Sequence, residues 1–303
     1  MSLLVIGSLN MDYISYMDRL PLPGETVRAD EFIMFAGGKG ANQAVAAARS
    51  GAKVTLIGCV GNDEIGATMV DGLKQSGVDT SCINIIEGTP SGMAFVNVSS
   101  YGENNIVIVP GTNAKVTNSI LDDNIDVLKN ASIVLLQHEI PLSTIDYALR
   151  LSRKYNKITI LNPAPAYPLT TATLNLVDIL VLNEHELSVI TGMKADTGTE
   201  INNAMEHLRL IGAKRIILTL GENGLIDYID DEYFIHSAYK VKAVDTTAAG
   251  DTFIGAFCAA LLNDQPREYC IDYAQKAAAL AVTNKGAQAS IPTKEQIETS
   301  QIF

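Results

Sequence analysis

The residues best suited to chemistry lie in one stretch late in the chain, Ala243-Val244-Asp245-Thr246-Thr247-Ala248-Ala249-Gly250-Asp251-Thr252-Phe253. Two carboxylates flank a run of small residues, and apolar positions at helical spacing follow (Phe253, Phe257, Ala260, Leu261). Small residues with Gly250 let backbone N–H groups approach a ligand closely, and a helix N-terminus favours an anion there. A carboxylate such as Asp251 at the mouth of an anion site is unfavourable unless it takes a proton from a nucleophile. N–H donors for a transferring group, beside a base for the attacking hydroxyl, are the parts a phosphoryl-transfer site needs. The competing reading is structural: Asp251 or Thr252 caps a helix after a glycine turn.

A second cluster, Ala36-Gly37-Gly38-Lys39-Gly40-Ala41-Asn42-Gln43, runs into the alanine-rich segment Ala44–Arg49, with Gly51 as a helix stop. Glycines opening a helix let the backbone close on a polar ligand, and Asn42 would face it from the first turn. A plain glycine-rich connector is the alternative. The cluster is not a Walker A loop, because Gly40 follows Lys39, and it is not a GxGxxG fingerprint.

The elements that must position these residues follow from the apolar pattern. Short runs such as Leu3–Ile6, Val54–Val60, Ser132–Leu136, Ile158–Leu161, Ile179–Leu182 and Arg215–Leu218 read as strands buried on both faces of a parallel sheet. Helices are expected at Ile65–Gln75, Leu142–Tyr155, Thr252–Leu262 and Arg267–Asn284. Ile83–Ile86 reads as a further strand, and Leu225–Ile229 with Tyr233–His236 as a hairpin. Thr26–Phe35 and the hairpin Gly92–Ser99 and Asn105–Val109 have mixed polarity and group as a second, small sheet of inserted antiparallel strands. The repeating βα units predict an α/β fold with a doubly wound, mostly parallel sheet flanked by helices. Ligands bind beyond the carboxyl ends of such strands. Polar residues fall there one after another: Asn10 and Asp12, Glu139, Asn183 and Glu186, Thr219 and Gly221.

Composition narrows the function classes. The 303 residues are 47% hydrophobic and 18% charged, ordinary for a globular protein, and could fill two average domains or one α/β enzyme. A net charge of −12 argues against nucleic acid or an anionic membrane as partner. The four cysteines (Cys59, Cys82, Cys258, Cys270) form no CxxC and no His-linked metal spacing, so a reducing, cytoplasmic setting is expected. Leu3–Gly7 is too short, and too lacking in basic flanks, to be a signal peptide. No apolar run reaches membrane-spanning length.

With these residues in view, the sequence resembles the ribokinase/phosphofructokinase-B sugar kinase family. Two signatures carry the resemblance: Gly37-Gly38-Lys39-Gly40-Ala41-Asn42-Gln43-Ala44, and Asp245-Thr246-Thr247-Ala248-Ala249-Gly250-Asp251-Thr252-Phe253. Asn162-Pro163-Ala164-Pro165, Asn183-Glu184-His185-Glu186, Thr219-Leu220-Gly221 and the tail Gly286–Pro292 extend it over essentially the whole chain. The resemblance implies one kinase domain over 1–303 with a discontinuous β-sheet lid at about 12–36 and 91–110.

It also implies roles. Asp251 would be the general base, with the N–H groups of Ala248, Ala249 and Gly250 as the anion hole. Asn10, Asp12, Gly38, Lys39, Gly40, Asn42 and Glu139 would hold the sugar with Asp251, which suits a polyol read by paired donors and acceptors. Asn183, Thr219, Gly221, Gly224, Gly250 and Gln275 would contact ATP, and Glu186 would organise Mg²⁺ through water. Asp245, Thr247, Ala281, Asn284, Gly286 and Ser290 match loops that hold an activating potassium ion. Two residues depart from the family pattern: Gln275 stands where a histidine is expected beside the adenine, and Asn284 where an arginine is common. The implied reaction is ATP-dependent phosphorylation of D-ribose at O5, in a homodimer paired through the lid. The same chemistry on 2-deoxyribose, another small sugar or a nucleoside is the nearer alternative. A non-catalytic sugar sensor is the more distant one, although a sensor would not need Asp251 behind an intact Ala248–Gly250 turn.

Overall fold

A computed structural model describes residues 1–301. The last two residues of the single domain expected over 1–303 therefore lie outside the described residues. Thirteen strands form two sheets among the described residues. They are β1 Leu3–Ile6, β2 Asn10–Met17, β3 Glu31–Gly37, β4 Val54–Gly61, β5 Ile83–Ile86, β6 Gly92–Ser99, β7 Asn104–Val109, β8 Ile133–Gln137, β9 Ile158–Asn162, β10 Ile179–Asn183, β11 Arg215–Thr219, β12 Leu225–Ile229 and β13 Glu232–His236. The large sheet has the order β13-β12-β11-β10-β9-β8-β1-β4-β5, parallel from β11 to β5, with β12 and β13 antiparallel.

β1 explains why the parallel strands read as unbroken apolar runs. Leu3 and Val5 enter one core, against the Lys39–Arg49 and Ala249–Leu262 helices, while Leu4 and Ile6 enter a second core on the opposite face. Both faces are buried, so the fold is the doubly wound α/β architecture that the alternation implied. The chain leaves β1 toward β4 on one side and returns as β8 on the other, which makes the end of β1 a switch point where a crevice opens.

The small sheet has the order β3-β2-β6-β7. It corrects the sequence reading in three ways. Asn10–Met17, expected to be partly rim and partly insertion, is an interior strand, paired on both edges. The strand expected at Thr26–Phe35 begins only at Glu31. Finally, β2 pairs antiparallel with β3 but parallel with β6, so the sheet is mixed. β2 escaped notice because Met11, Ile14 and Met17 are its buried apolar residues, at intervals of three rather than two. Among the described residues, six helices were also not anticipated: Asn118–Asp123, Ile125–Asn130, Thr171–Leu174, Glu184–Thr191, Gly198–Leu210 and Lys294–Thr299, although three of them open with a capping box (Asn183 with Glu186, Thr197 with Glu200, Thr293 with Gln296).

Both signature helices start earlier than the apolar pattern indicated. The first begins at Lys39, with Ala41 N–H donating to Ser8 O at 2.9 Å, and the second begins at Ala249. Glycines at 40 and 250 have low helix propensity and masked these starts. The Arg267 helix ends at Ala281 rather than Asn284. Where the two signature helices cross, Gly255 is required: a Cβ there would lie 2.4 Å from Ala46 Cβ and 2.5 Å from Gln43 O. That close approach brings the first turns of both helices to the same crevice.

Candidate active site

Asp251 lies in the first turn of its helix and is only 8% exposed. Its two oxygens are both engaged: Asn42 Nδ2 donates to Oδ2 at 2.9 Å and Gln43 Nε2 donates to Oδ1 at 2.8 Å. The two signatures, far apart in sequence, thus meet at one carboxylate. The preceding residue of the turn, Ala248, is left-handed at φ 58°, a conformation that costs a non-glycine residue energy and tends to cluster at functional sites. It turns the chain so that the first-turn N–H groups, which lack intrahelical acceptors, head the helix. One of the three expected anion-hole donors, Ala249 N–H, contacts Thr246 O at 3.2 Å.

The sugar-side residues assemble around the same point. Glu139, delivered by β8, accepts from Ser8 Oγ at 2.5 Å and from Lys39 N–H at 3.0 Å. Asn10 Oδ1 accepts from Asn113 Nδ2 at 2.7 Å, so its own amide nitrogen remains available as a donor. Asp12 lies across Gly37, where a Cβ would come within 2.2 Å of Asp12 Oδ2. Gly38 and Gly40 are buried at the turn into the helix. Asn42 Oδ1 is buried without a protein partner, as suits an acceptor meant for a ligand hydroxyl.

Four carboxylates and one ammonium set the electrostatics. The Asp12 pKa is pushed up to about 7, mainly by burial and then by the charges of Glu139 and Asp251, with Lys39 acting in the opposite sense. Burial would lower the Lys39 pKa, but Asp251, Glu139, Glu186 and Asp12 together raise it, so it remains a cation. Burial also raises the Glu186 pKa against the Asn183 N–H and Lys39.

A cleft of about 220 Å³ adjoins these groups, lined by Lys39, Asn183, Glu186, Thr219 and Ala248–Asp251. Asn183 and Glu186 are locked together by their capping box, with Glu186 N–H to Asn183 Oδ1 at 2.8 Å and Asn183 N–H to Glu186 Oε2 at 3.0 Å. Gly221, Gly224 and Gln275 are not among the residues that line this cleft. Gln275 Nε2 donates instead to Ser237 O at 3.1 Å.

Asp245 joins two segments. Its Oδ1 accepts from Thr247 N–H and its Oδ2 from Gly286 N–H, both at 2.9 Å, while Val244 and Asp245 N–H both donate to Val282 O. Although burial works the other way, the Thr247 and Gly286 hydrogen bonds keep its carboxyl below the usual range. Ala281 ends the Arg267 helix and Ser290 lies in the loop that follows; both are buried, Ser290 Oγ donates to Ala287 O, and the exposed Asn284 turns its side chain onto Leu280 O. Among the described residues no group of three His, Cys, Asp or Glu side chains could hold a metal ion. One carboxylate in a loop rich in carbonyls suits a large monovalent cation better than Mg²⁺, which demands tight octahedral geometry.

Sequence reasoning did not single out Ser8, Gln43, Asn113, Gln137 and Asn162 as site residues. Gln43 and Asn162 stood inside quoted motifs; for the others, fixed by partners about 100 residues away, the sequence carried no local signal.

The pfkB family of carbohydrate kinases matches residues 1–294. The chain is 39% identical over 295 residues to a ribokinase of Haemophilus influenzae, covering 97% of this chain and 96% of that protein. It is 37% identical over 297 residues to a deoxyribokinase of Salmonella typhimurium, covering 98% and 97%. Among solved structures, it matches an Arabidopsis thaliana ribokinase complexed with ribose and ATP at a TM-score of 0.91 and 35% identity, covering 98% of this chain and 97% of that one.

Proposed function

Because the chain belongs to the pfkB family of carbohydrate kinases, we infer that its crevice transfers the γ-phosphoryl group of ATP to the 5-hydroxyl of D-ribose. The observation that carries this reading is the buried Asp251 carboxylate, held by Asn42 and Gln43 beside the Ala248–Gly250 turn. Asp251 takes the proton from the sugar hydroxyl as its oxygen bonds to the γ-phosphorus. The bond from that phosphorus to the bridging oxygen breaks, and ADP leaves with the electron pair. The N–H groups of Ala248 and Gly250, that of Ala249 once it leaves Thr246 O, and the Lys39 ammonium face the charge that develops on the transferring group. Asn10, Asp12, Asn42 and Glu139 hold the ribose hydroxyls, in keeping with the partnerless Asn42 Oδ1.

Asn183, Thr219, Gly221, Gly224 and Gln275 take the nucleotide, and Glu186 would hold Mg²⁺ at its phosphates. When bound, the metal supplies charge neutralisation at the phosphates. The chain's likeness to a deoxyribokinase keeps 2-deoxyribose as the second substrate reading. The test is a coupled ADP-release assay across ribose, deoxyribose, fructose, ribulose and adenosine. Highest kcat/KM on ribose is expected, and a preference for another sugar would replace it as substrate.

Potassium is the proposed activator, held by Asp245 and carbonyls of the Ala281–Ser290 loop. By bridging that loop and the turn before Ala248, a cation would order the anion hole without touching substrate. Turnover should rise severalfold when potassium replaces a bulky organic cation at fixed ionic strength and Mg²⁺, and Asp245→Ala should abolish the response while sparing ribose binding. Indifference to millimolar potassium would remove the ion from this loop.

A homodimer clasped through the small sheet is proposed as the working form, in the cytoplasm. Apolar side chains project from that sheet into solvent: Phe32 is 57% exposed, Met34 57%, Ile106 56% and Val107 60%. An exposed apolar sheet with open edges at β3 and β7 is a liability unless covered. Light scattering should give a dimer, and a monomer in the presence of ribose would rule this arrangement out. No helix among the described residues is long and apolar enough to cross a membrane.

A further inference from the structure

The groups that hold Asp251 belong to a larger buried chain of side-chain amides. Gln43 and Gln137 are fully buried, and Asn162 is 6% exposed. Gln137 Nε2 donates to Gln43 Oε1 at 2.6 Å, and Gln43 Nε2 donates both to Asn162 Oδ1 at 3.1 Å and to Asp251 Oδ1 at 2.8 Å. Asn162 Nδ2 in turn donates to Val181 O at 3.0 Å. The ends of β8, β9 and β10 are thereby tied to the first turns of the two signature helices.

The polarity of this chain is fixed from its far end. A backbone carbonyl can only accept, so Val181 O forces the Asn162 nitrogen toward itself and the Asn162 oxygen toward Gln43. Gln43 must then present its nitrogen to Asn162, and the same nitrogen's second hydrogen reaches Asp251. Its oxygen is left for Gln137, whose amide cannot be reversed without setting two oxygens against each other. Every hydrogen on Gln43 Nε2 is used, and one of them is aimed at the carboxylate. The backbone is shaped to admit the chain: a Cβ on Gly7 would lie 2.3 Å from Gln137 Oε1.

A network of this depth could serve the core alone. However, although Gln137 Oε1 is buried without a partner, each amide from Val181 O to Asp251 has its orientation set by the next, and the group at the end is the residue that must meet the reacting hydroxyl. We propose that Gln43, oriented by Gln137 and Asn162, is the positioning residue for the base, holding Asp251 Oδ1 so that the carboxylate keeps one rotamer toward the sugar. This rests on the reading of Asp251 as the base. It goes beyond that reading by assigning the orientation of the base to Gln43 and Gln137, which are fully buried and do not line the cleft.

The experiment is a double-mutant cycle in the full chain. Gln43→Leu keeps the side-chain volume and removes both donors. It should lower kcat by about 10- to 100-fold, the scale on which small misplacements of a reacting group act, with both KM values within about threefold of wild type. In an Asp251→Asn background the same substitution should cost nothing further, because there is no base left to position. Gln137→Leu should give a smaller kcat loss that disappears once Gln43→Leu is present. The proposal is overturned by a kcat within twofold of wild type, by a raised ribose KM with kcat unchanged, or by an equal loss in the Asp251→Asn background. Should Gln43→Leu fail to bind ribose by calorimetry, the Gln137→Leu cycle with Asp251→Asn decides by the same criteria. Wild-type turnover is read first. Its absence on ribose would overturn the ribose reading alone, and the cycle would then be run on whichever sugar is phosphorylated, since the amides act on the base.

Discussion

Asp251→Asn lowers turnover on ribose by about 10²-fold or more, the range over which general-base assistance acts. The amide cannot take a proton at pH 7, and every other part of the proposed site is left in place. Its surroundings add a second effect. Asn42 Nδ2 and Gln43 Nε2 both donate to this side chain, and an asparagine offers only one acceptor oxygen to the two of them. One donor must therefore turn away or face another donor, so ribose and ATP affinities should be measured by calorimetry alongside kcat. Affinities within a few-fold of wild type, with kcat collapsed, identify the carboxylate as the base. Turnover close to wild type would remove Asp251 from the chemistry.

The second large effect belongs to Asp12, where function and stability oppose each other. In a closed site the loss of a paired carboxylate leaves sugar hydroxyls unsatisfied, at roughly 1–3 kcal/mol for each buried polar group. Asp12→Ala should therefore raise the ribose KM by about 10- to 100-fold and leave the ATP KM within about twofold. Equal effects on both substrates would make Asp12 structural.

The ligand-free protein should respond in the opposite direction. The folded-state pKa of Asp12 is raised to about 7, chiefly by burial. Between its unfolded value near 3.8 and pH 7 the native state holds a proton that the unfolded chain has lost. Stability from this group is thus fully present below about pH 4 and is lost as pH rises through 7. Asp12→Asn should stabilise the ligand-free protein at pH 8 by up to a few kcal/mol, and the advantage should vanish by pH 4. Urea unfolding at both pH values checks this. A gap that does not change with pH would show that Asp12 ionises freely in the native state.

Much of the chain's organisation is legible in local pattern. β1, β4, β8, β9, β10 and β11 announce themselves because strands buried on two faces must be apolar at every position. The Ala248–Asp251 stretch is legible because a close-approach turn needs small residues and a base needs a carboxylate, and both demands fall on neighbours in sequence. β2 was not legible, since its buried apolar residues recur at intervals of three and not with the alternation expected of a half-buried strand. The helix starts at Lys39 and Ala249 were obscured by Gly40 and Gly250, which weaken a helix locally; at Gly40 the close backbone of Gly7 and Ser8 leaves no room for a Cβ.

Tertiary structure alone decided the inner half of the site. Asn42 and Gln43 reach Asp251 across 209 and 208 residues, Gln137 reaches Gln43 across 94, and Asn113 grips Leu9 and Asn10 across more than 100. A buried amide and an exposed one are the same letter in the sequence. What separates them is whether folding brings a partner to within 3 Å or so, since an unpartnered amide in a core costs more than a hydrogen bond returns. Local pattern fixes which residues can be strand, helix or turn. The crossing of the two signature helices at Gly255, and the switch at β1, decided which polar groups would meet in one crevice.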